Sequence, residues 1–114
     1  MRNPRLVSKQ LTNISPVPTA HQIGQKIVLL NNQETSSNIT QIAMTELRQG
    51  ESVDEHIHPT MDEHYLFLSG KGVMIVEGEE MECKEGLFLL VPATCKHGMS
   101  ALTNMKFLIV GVAL

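Results

Sequence analysis

The amino-acid sequence predicts an all-β domain, built as an antiparallel sandwich or barrel. After residue 50, apolar runs of five or six residues follow one another at close, regular spacing. Glycine and proline recur between these runs, and no long segment carries the 3.6-residue apolar period of an amphipathic helix. Many short strands separated by turn residues are typical of sandwiches and barrels.

The N-terminal part of the chain predicts an arm followed by two strands. Residues 1–25 contain three prolines and are expected to form a partly extended arm that packs along the domain or crosses to a neighbour. KIVLL at 26–30 predicts a strand, and the polar cluster at 31–38 predicts a turn. ITQIAMTELR at 39–48 is compatible with a strand or a short helix, and the β-branched residues in its first half favour a strand.

The remaining runs complete one domain over residues 26–114. EGEE at 77–80 predicts a hairpin turn between two of them. A chain of 114 residues has the length of a single domain. The five predicted strands after residue 50 are 64–69, 72–77, 80–84, 87–91 and 107–112.

Composition excludes several classes of partner. The formal net charge is −3, so the chain offers no basic face for nucleic acid, and aromatic residues make up only 4%. The sequence contains no run of 18 apolar residues, so it predicts no membrane-spanning helix. The N-terminus lacks the apolar segment of a secretion signal, which predicts a cytoplasmic protein. Cys83 and Cys95 are accordingly expected to be free thiols.

A group of histidines and acids precedes one of the predicted strands. His56 and His58 are two residues apart, a spacing that places two side chains on one face of a strand, with Cα atoms roughly 6.5–7 Å apart. Two imidazoles at that separation can bind one metal ion. Pro59 then interrupts the strand, and Glu63 can return beside the pair. His97, after another strand and turn, is the candidate for a fourth ligand.

These residues resemble the two motifs of the cupin family. Gly50, His56, His58, Glu63 and Gly70 stand at the intervals of the first motif. After fifteen intervening residues, the second motif is matched by Gly86, Pro92 and His97. The chain departs from the second motif at three positions that are not metal ligands, namely Leu87, Thr94 and Ala101. Thr94 replaces a frequent glycine and is expected to alter the turn before His97.

The resemblance implies a double-stranded β-helix, a jelly-roll barrel of two antiparallel sheets with a metal ion near one mouth. It implies His56, His58, Glu63 and His97 as the ligands of one divalent transition metal per chain. Three neutral nitrogens and one carboxylate suit Fe, Mn, Ni, Co, Cu or Zn. Four protein ligands leave one or two positions of the ion open to a substrate.

Strand alternation predicts the wall of the pocket. Tyr65 and Phe67 share a face with Glu63, whereas Met99 and Ala101 share a face with His97. Met61 is expected to lie on this wall as well. The Tyr65 hydroxyl is the one polar group of this set, and it is a candidate catalytic residue that steadies developing negative charge.

Other polar residues near the motifs are expected to have supporting roles. His64 has the opposite strand parity to Glu63 and should face away, and His21 is expected to be a surface histidine. Asp62 and Glu55 are expected to be solvated or to orient an imidazole. Cys95 is expected to be a small buried thiol.

Two further expectations concern ligands and partners. Lys96 has the opposite parity to His97 and Arg48 precedes the loop, so no cation is expected for a substrate phosphate. Several strands are apolar on both faces, and a homodimer would cover the outer face.

The function predicted is that of a metal-dependent enzyme acting on a small organic molecule, with dioxygenase-like chemistry favoured. A metal-dependent isomerase or lyase acting on a sugar or keto acid, and a non-catalytic small-molecule-binding protein, are the alternatives. A metal-free barrel that uses histidine and carboxylate as acid and base is the fourth possibility.

Overall fold

A computed structural model describes residues 6–114 of the chain, which form ten strands and two short 3₁₀ turns. No helix in this part of the chain is long and apolar enough to cross a membrane. The turns are Leu11–Asn13 and Asn32–Glu34. The strands are β1 (Val17–Pro18), β2 (Gln25–Asn31), β3 (Ile39–Leu47), β4 (Ser52–His56), β5 (Met61–Ser69), β6 (Lys71–Val76), β7 (Glu79–Lys84), β8 (Phe88–Val91), β9 (His97–Ala101) and β10 (Met105–Ala113).

The strands form two antiparallel sheets, which confirms the predicted fold class. One sheet has the order β1-β2-β3-β10-β5-β8, and the other has the order β4-β9-β6-β7. Neighbours in these orders are mostly distant in sequence, as in β10 between β3 and β5. Long-range pairing therefore decides which residues meet inside the barrel.

The core lies between the two sheets and is made by alternate residues of the strands. Every second residue is buried from Ala43 to Leu47 in β3, from Glu63 to Phe67 in β5 and from His97 to Ala101 in β9. Burial of alternate residues is typical of strands that pack one face against a core and expose the other. The largest fully buried side chains are Leu47, Phe67, Met74, Cys83 and Met105.

The predicted strands are present, and the structure adds strands that their composition conceals. β4 is the polar sequence SVDEH, and β9 is HGMSA, which contains residues with weak strand preference. Both are strands because they pair with each other, and β9 also pairs with β6. Strand formation at these positions depends on tertiary pairing and not on local preference.

The N-terminal segment attaches to the edge of the larger sheet. Residues 1–5 of the predicted arm lie outside the described residues. Within the described part, Val17 and Pro18 pair with Lys26 and Gln25 of β2. The segment after β1 then runs along the barrel, and the division into an arm over 1–25 and a barrel over 26–114 stays a prediction.

Two glycines with positive φ lie in turns that lead to and from β6, with different surroundings. Gly78 (φ +81°) follows Glu77 (φ +49°) in the β6–β7 turn, where a β-carbon would meet nothing within 4 Å. Two successive positive φ values are those of a type I′ hairpin turn. Gly70 (φ +83°) lies between β5 and β6, where a β-carbon would overlap the backbone oxygen of Asn104.

We therefore expect Gly70→Ala to destabilise the protein more than Gly78→Ala. Both changes force alanine into a left-handed conformation, which costs about 1 kcal/mol. Only Gly70→Ala adds a backbone overlap, so its total loss should reach about 3 kcal/mol. Chemical denaturation measures the two free energies of unfolding, and equal losses would contradict the close packing of Gly70.

Candidate metal centre

Four polar side chains converge at one end of the barrel. His56 ends β4 and is the pairing partner of His97, which begins β9. Glu63 lies on β5 in the opposite sheet, and His58 lies in the loop between β4 and β5. One nitrogen of each imidazole and one oxygen of Glu63 lie within 4.8 Å of one another.

The placement of His58 differs from the strand geometry expected for an H-x-H pair. β4 ends at His56, so the two histidines do not share the face of one strand. The His58 carbonyl instead accepts a hydrogen bond from the backbone N–H of Thr94 at 2.9 Å. The loop before β9 therefore holds His58 in place, and Pro59 cannot extend the ladder because it lacks an N–H.

Thr94 keeps the turn that a glycine would make. Its φ is +74°, in the left-handed region that β-branched residues rarely adopt. The residue thus adopts a backbone conformation that a glycine at this position would reach without strain. In this conformation the Thr94 N–H donates to the His58 carbonyl. Asp62 supports the same loop, because its carboxylate accepts a hydrogen bond from the Ala93 N–H at 2.8 Å.

Backbone carbonyls fix the orientation of two imidazoles. Nδ1 of His56 lies 2.8 Å from the Asp54 carbonyl oxygen, and Nδ1 of His97 lies 2.9 Å from that of Cys95. A carbonyl only accepts, so each Nδ1 carries the proton and donates it. Nε2 of each neutral ring is then left with a lone pair, which is the arrangement typical of metal-ligating histidines.

Glu63 is the buried acid of the group, with 9% of its surface exposed. Its Oε1 accepts a hydrogen bond from the Tyr65 hydroxyl at 2.8 Å. The same oxygen lies 3.0 Å from Nε2 of His97 and 3.3 Å from Nε2 of His58. The Tyr65 hydroxyl thus donates to Glu63 and positions it, whereas the sequence had suggested a hydroxyl free to meet substrate.

These contacts set the charges of the metal-free site. Burial raises the pKa of Glu63, but hydrogen bonds from His97 and Tyr65 more than offset it, so the pKa lies below its ordinary value. Burial lowers the pKa of His97, but the contacts with Glu63 and the Cys95 carbonyl more than offset it, so the pKa is raised. Burial also raises the pKa of Tyr65 well above its usual value, and Glu63 adds to the effect. The phenol therefore stays protonated as a donor.

The four side chains fit a divalent metal ion. Two ligand atoms at right angles around an ion, each about 2.1 Å away, are about 3 Å apart. The contacts of Glu63 with His97 and His58, at 3.0 and 3.3 Å, have this spacing. Because Nε2 of neutral His97 and the Glu63 oxygen are both acceptors, their approach requires a proton or a cation between them.

A cavity of about 160 Å³ opens from this centre into the barrel. Met61, Tyr65 and Met99 line it, as expected. Phe67 and Ala101 do not line it; they are buried at 0% and 4% exposure in the same core cluster that contains Tyr65 and Met99. Strand parity gives the face of a residue but not its depth along the barrel, which explains this difference.

Two residues of the cavity were not expected from the sequence. His21 is exposed, but its ring centroid lies 4.2 Å from that of His56, so the N-terminal segment contributes to the mouth of the cavity. Lys26 on β2 also lines the cavity. The expectation that no cation faces the site is therefore wrong, because Lys26 lies far in sequence from the motifs and reaches the cavity through the pairing of β2 with β3.

The other neighbours have structural positions. His64 faces away from the centre, with Nδ1 at 3.2 Å from the Val110 carbonyl and its ring near Phe88. Glu55 is exposed, and Cys95 is half-buried against the core. Both cysteines are free thiols.

Comparisons with known proteins identify relatives of this domain. The family model described as "Cupin domain" matches residues 43–111. The Streptomyces glaucescens tetracenomycin polyketide synthase protein TcmJ is 31% identical over 73% of this chain and 56% of its own length. The Ruegeria pomeroyi dimethylsulfoniopropionate lyase DddW is 30% identical over 64% of this chain and 47% of its own length. The chain thus spans about half the length of these curated relatives.

Solved structures show the same fold. A predicted oxalate decarboxylase from Thermotoga maritima has a TM-score of 0.85 and 23% identity, covering 92% of this chain and 97% of that one. Ectoine synthase from P. lautus has a TM-score of 0.83 and 18% identity, covering 95% and 78%. The polyketide cyclase RemF from Streptomyces resistomycificus has a TM-score of 0.81 and 15% identity, covering 95% and 80%.

The pKa directions predict how pH affects the metal-free protein. A lowered Glu63 pKa stabilises the fold above its ordinary value of 4.5, and a raised His97 pKa stabilises it below its ordinary value of 6.5. The stabilisation should be complete between these values. It should fall as pH drops through the folded Glu63 pKa or rises through the folded His97 pKa.

We therefore expect the loss of melting temperature in chelator-treated Glu63→Gln to be largest between about pH 4.5 and 6.5. Scanning calorimetry across pH measures this loss against wild type. The exposed Glu55→Gln serves as the control and should show no such maximum. A loss for Glu63→Gln that does not vary with pH would contradict the assigned pKa directions.

Proposed function

The chain belongs to the cupin domain family, and we propose that it is a metal-dependent enzyme acting on a small organic molecule. In this proposal His56, His58, Glu63 and His97 hold one divalent transition-metal ion per chain. The observation that carries it is the convergence of three imidazoles on a buried carboxylate, with two of the rings held by backbone carbonyls.

When bound, such an ion supplies Lewis-acid polarisation of a substrate oxygen and, where it is redox-active, reactivity toward dioxygen. The residues of the chain would orient the reactants. Tyr65 holds the Glu63 carboxylate, and Met61 and Met99 keep the cavity wall apolar and limit water. His21 stands at the mouth, where it would contact an entering ligand.

The size of the cavity limits the substrate. A volume of about 160 Å³ resembles the engineered cavity of about 150 Å³ that binds benzene. Ligands that enter fully are therefore of that scale. A larger molecule would insert only one end, with the rest outside the mouth.

Two chemistries are candidates. A lyase or isomerase reaction is favoured by the name of DddW, a lyase, and by that of RemF, a cyclase. The dioxygenase reaction expected from the sequence is the second, and it is favoured by three imidazoles and one carboxylate, which suit iron and leave positions open.

Single substitutions test the metal site. We expect His56→Ala and His97→Ala to retain less than about a tenth of the metal bound by wild type, since each removes one ligand of four. Elemental analysis after remetallation measures the content, and circular dichroism checks the fold. His64→Ala, whose ring faces away, is the control. Full occupancy in both ligand variants would contradict the assignment.

Turnover with and without oxygen separates the chemistries. We expect the metal-loaded protein to convert small carbonyl and carboxylate compounds in anaerobic buffer, at rates that air does not raise. Mass spectrometry of products, with an oxygen electrode in parallel, measures both. Oxygen uptake with catechols or diketones would instead identify a dioxygenase, and tight binding without any product would identify a carrier.

We also propose that the protein is a homodimer. Leu66 and Leu68 of β5 and Phe88 and Leu90 of β8 are exposed on the outer face, and Leu66 pairs with Phe88. β8 is the edge of its sheet, so the patch lies where a second copy can pack or pair.

Sedimentation of the wild-type protein should give twice the 12.6 kDa chain mass, and Phe88→Ser should give monomers. Leu102→Ser, exposed elsewhere, should stay dimeric, and a monomeric wild type would exclude the dimer.

A further inference from the structure

A lysine enters the cavity from the sheet wall, away from the candidate metal ligands. Lys26 on β2 is the pairing partner of Thr45, which is buried, so both side chains lie on the inner face. Its Nζ donates to Oε1 of Gln41 at 3.1 Å. Among residues 6–114, no carboxylate forms a salt bridge with it.

The strand register places the Lys26 ammonium at the end of β3 that lies nearer the candidate metal ligands. Gln41 lies four residues along β3 from Thr45, and only the small Ala43 separates them on the inner face. Lys26 reaches past Ala43 to Gln41. Gln41 and Glu63 are both pairing partners of Gly111, two strand spacings or roughly 10 Å apart.

Hydrogen-bond donors remain free beside this ammonium. Gln41 accepts from Lys26 through its oxygen, so its amide N–H groups are left to donate to a ligand. The Thr45 hydroxyl lies in a residue that is only 5% exposed, and it lines the cavity. It makes no hydrogen bond to any residue between 6 and 114. Because no fully buried side-chain nitrogen or oxygen of the described residues lacks a partner, this hydroxyl is open to the cavity, where it can donate to a ligand.

The charge of the cavity favours an anion. Glu63 is the one carboxylate among the lining residues that the structure describes. With a divalent ion bound, the positive charges of the ion and of Lys26 add up to more than the single negative charge of Glu63. A net positive charge in a largely apolar cavity is costly unless a ligand neutralises it.

We propose that Lys26, Gln41 and Thr45 form an anion subsite that binds the carboxylate of a small organic acid, whose other end reaches the metal. This inference rests on the proposed metal site. One ammonium and neutral donors suit a carboxylate, and a cavity of about 160 Å³ can enclose a compact acid but not a whole sugar phosphate. The substrate class is thus a compact acid with an oxygen function a few bonds from its carboxylate.

Calorimetric titration of zinc-loaded protein tests this subsite without requiring turnover. The probes are lactate, pyruvate and benzoate, each paired with its neutral amide, and inorganic phosphate. We expect at least one acid to bind and Lys26→Met to weaken it by about 10- to 100-fold, since a charge-assisted hydrogen bond is lost. Amide binding should not change. Lys106→Met, whose lysine lies on the outer face, is the control.

Zinc content is measured first, so that a failed metal site is distinguished from a failed subsite. With zinc bound, equal affinity of wild type and Lys26→Met for every acid would overturn the proposal. Tighter binding of phosphate than of any carboxylate, or no acid binding below about 10 mM, would also overturn it. If Lys26→Met does not fold, Lys26→Gln provides the same test with a polar side chain.

Discussion

The burial of one carboxylate organises this end of the barrel. Glu63 is almost withdrawn from water, and a buried charge is tolerated only when it is hydrogen-bonded and paired. Tyr65 and His97 satisfy it from β5 and β9, and His58 approaches from a loop. Three separate parts of the chain are therefore tied to a single oxygen atom, which is why the geometry of the centre depends on both sheets.

The barrel interior is divided between stability and ligand binding. Away from the cavity, Phe67, Cys83 and Met105 are fully buried and supply packing that stabilises the fold. The cavity itself keeps apolar walls but also holds ionisable and hydroxyl groups that a pure core would exclude. Thr94, held at positive φ beside His58, is a further local cost at this end. Polar and strained residues thus concentrate where a ligand can enter, while the opposite end is conventional core.

Much of this arrangement is readable from local sequence. The alternation in β5 predicts that Glu63, Tyr65 and Phe67 share a face, because successive side chains of a strand point in opposite directions. The strand pattern likewise predicts an antiparallel sandwich or barrel, and the resemblance to the cupin family implies its two sheets. It does not reveal β4 or β9, whose polar and small residues form strands by pairing with each other and, in β9, also with β6. Nor does it show that the Tyr65 hydroxyl is already used by Glu63, since that contact depends on side-chain geometry.

The sequence by itself determined the fold class, the faces of the apolar strands and the grouping of His56, His58, Glu63 and His97. The faces follow from local periods, and the grouping of the four residues follows from the resemblance of their spacing to the cupin motifs; neither requires knowledge of distant pairing. Only the tertiary structure placed His21 against His56 and turned Lys26 into the cavity. Both lie far in sequence from the motifs, and their positions depend on the register of β2 against β3 and of the N-terminal segment against β2. A shift of one residue in that register would turn Lys26 to the outer face, and no local pattern fixes it.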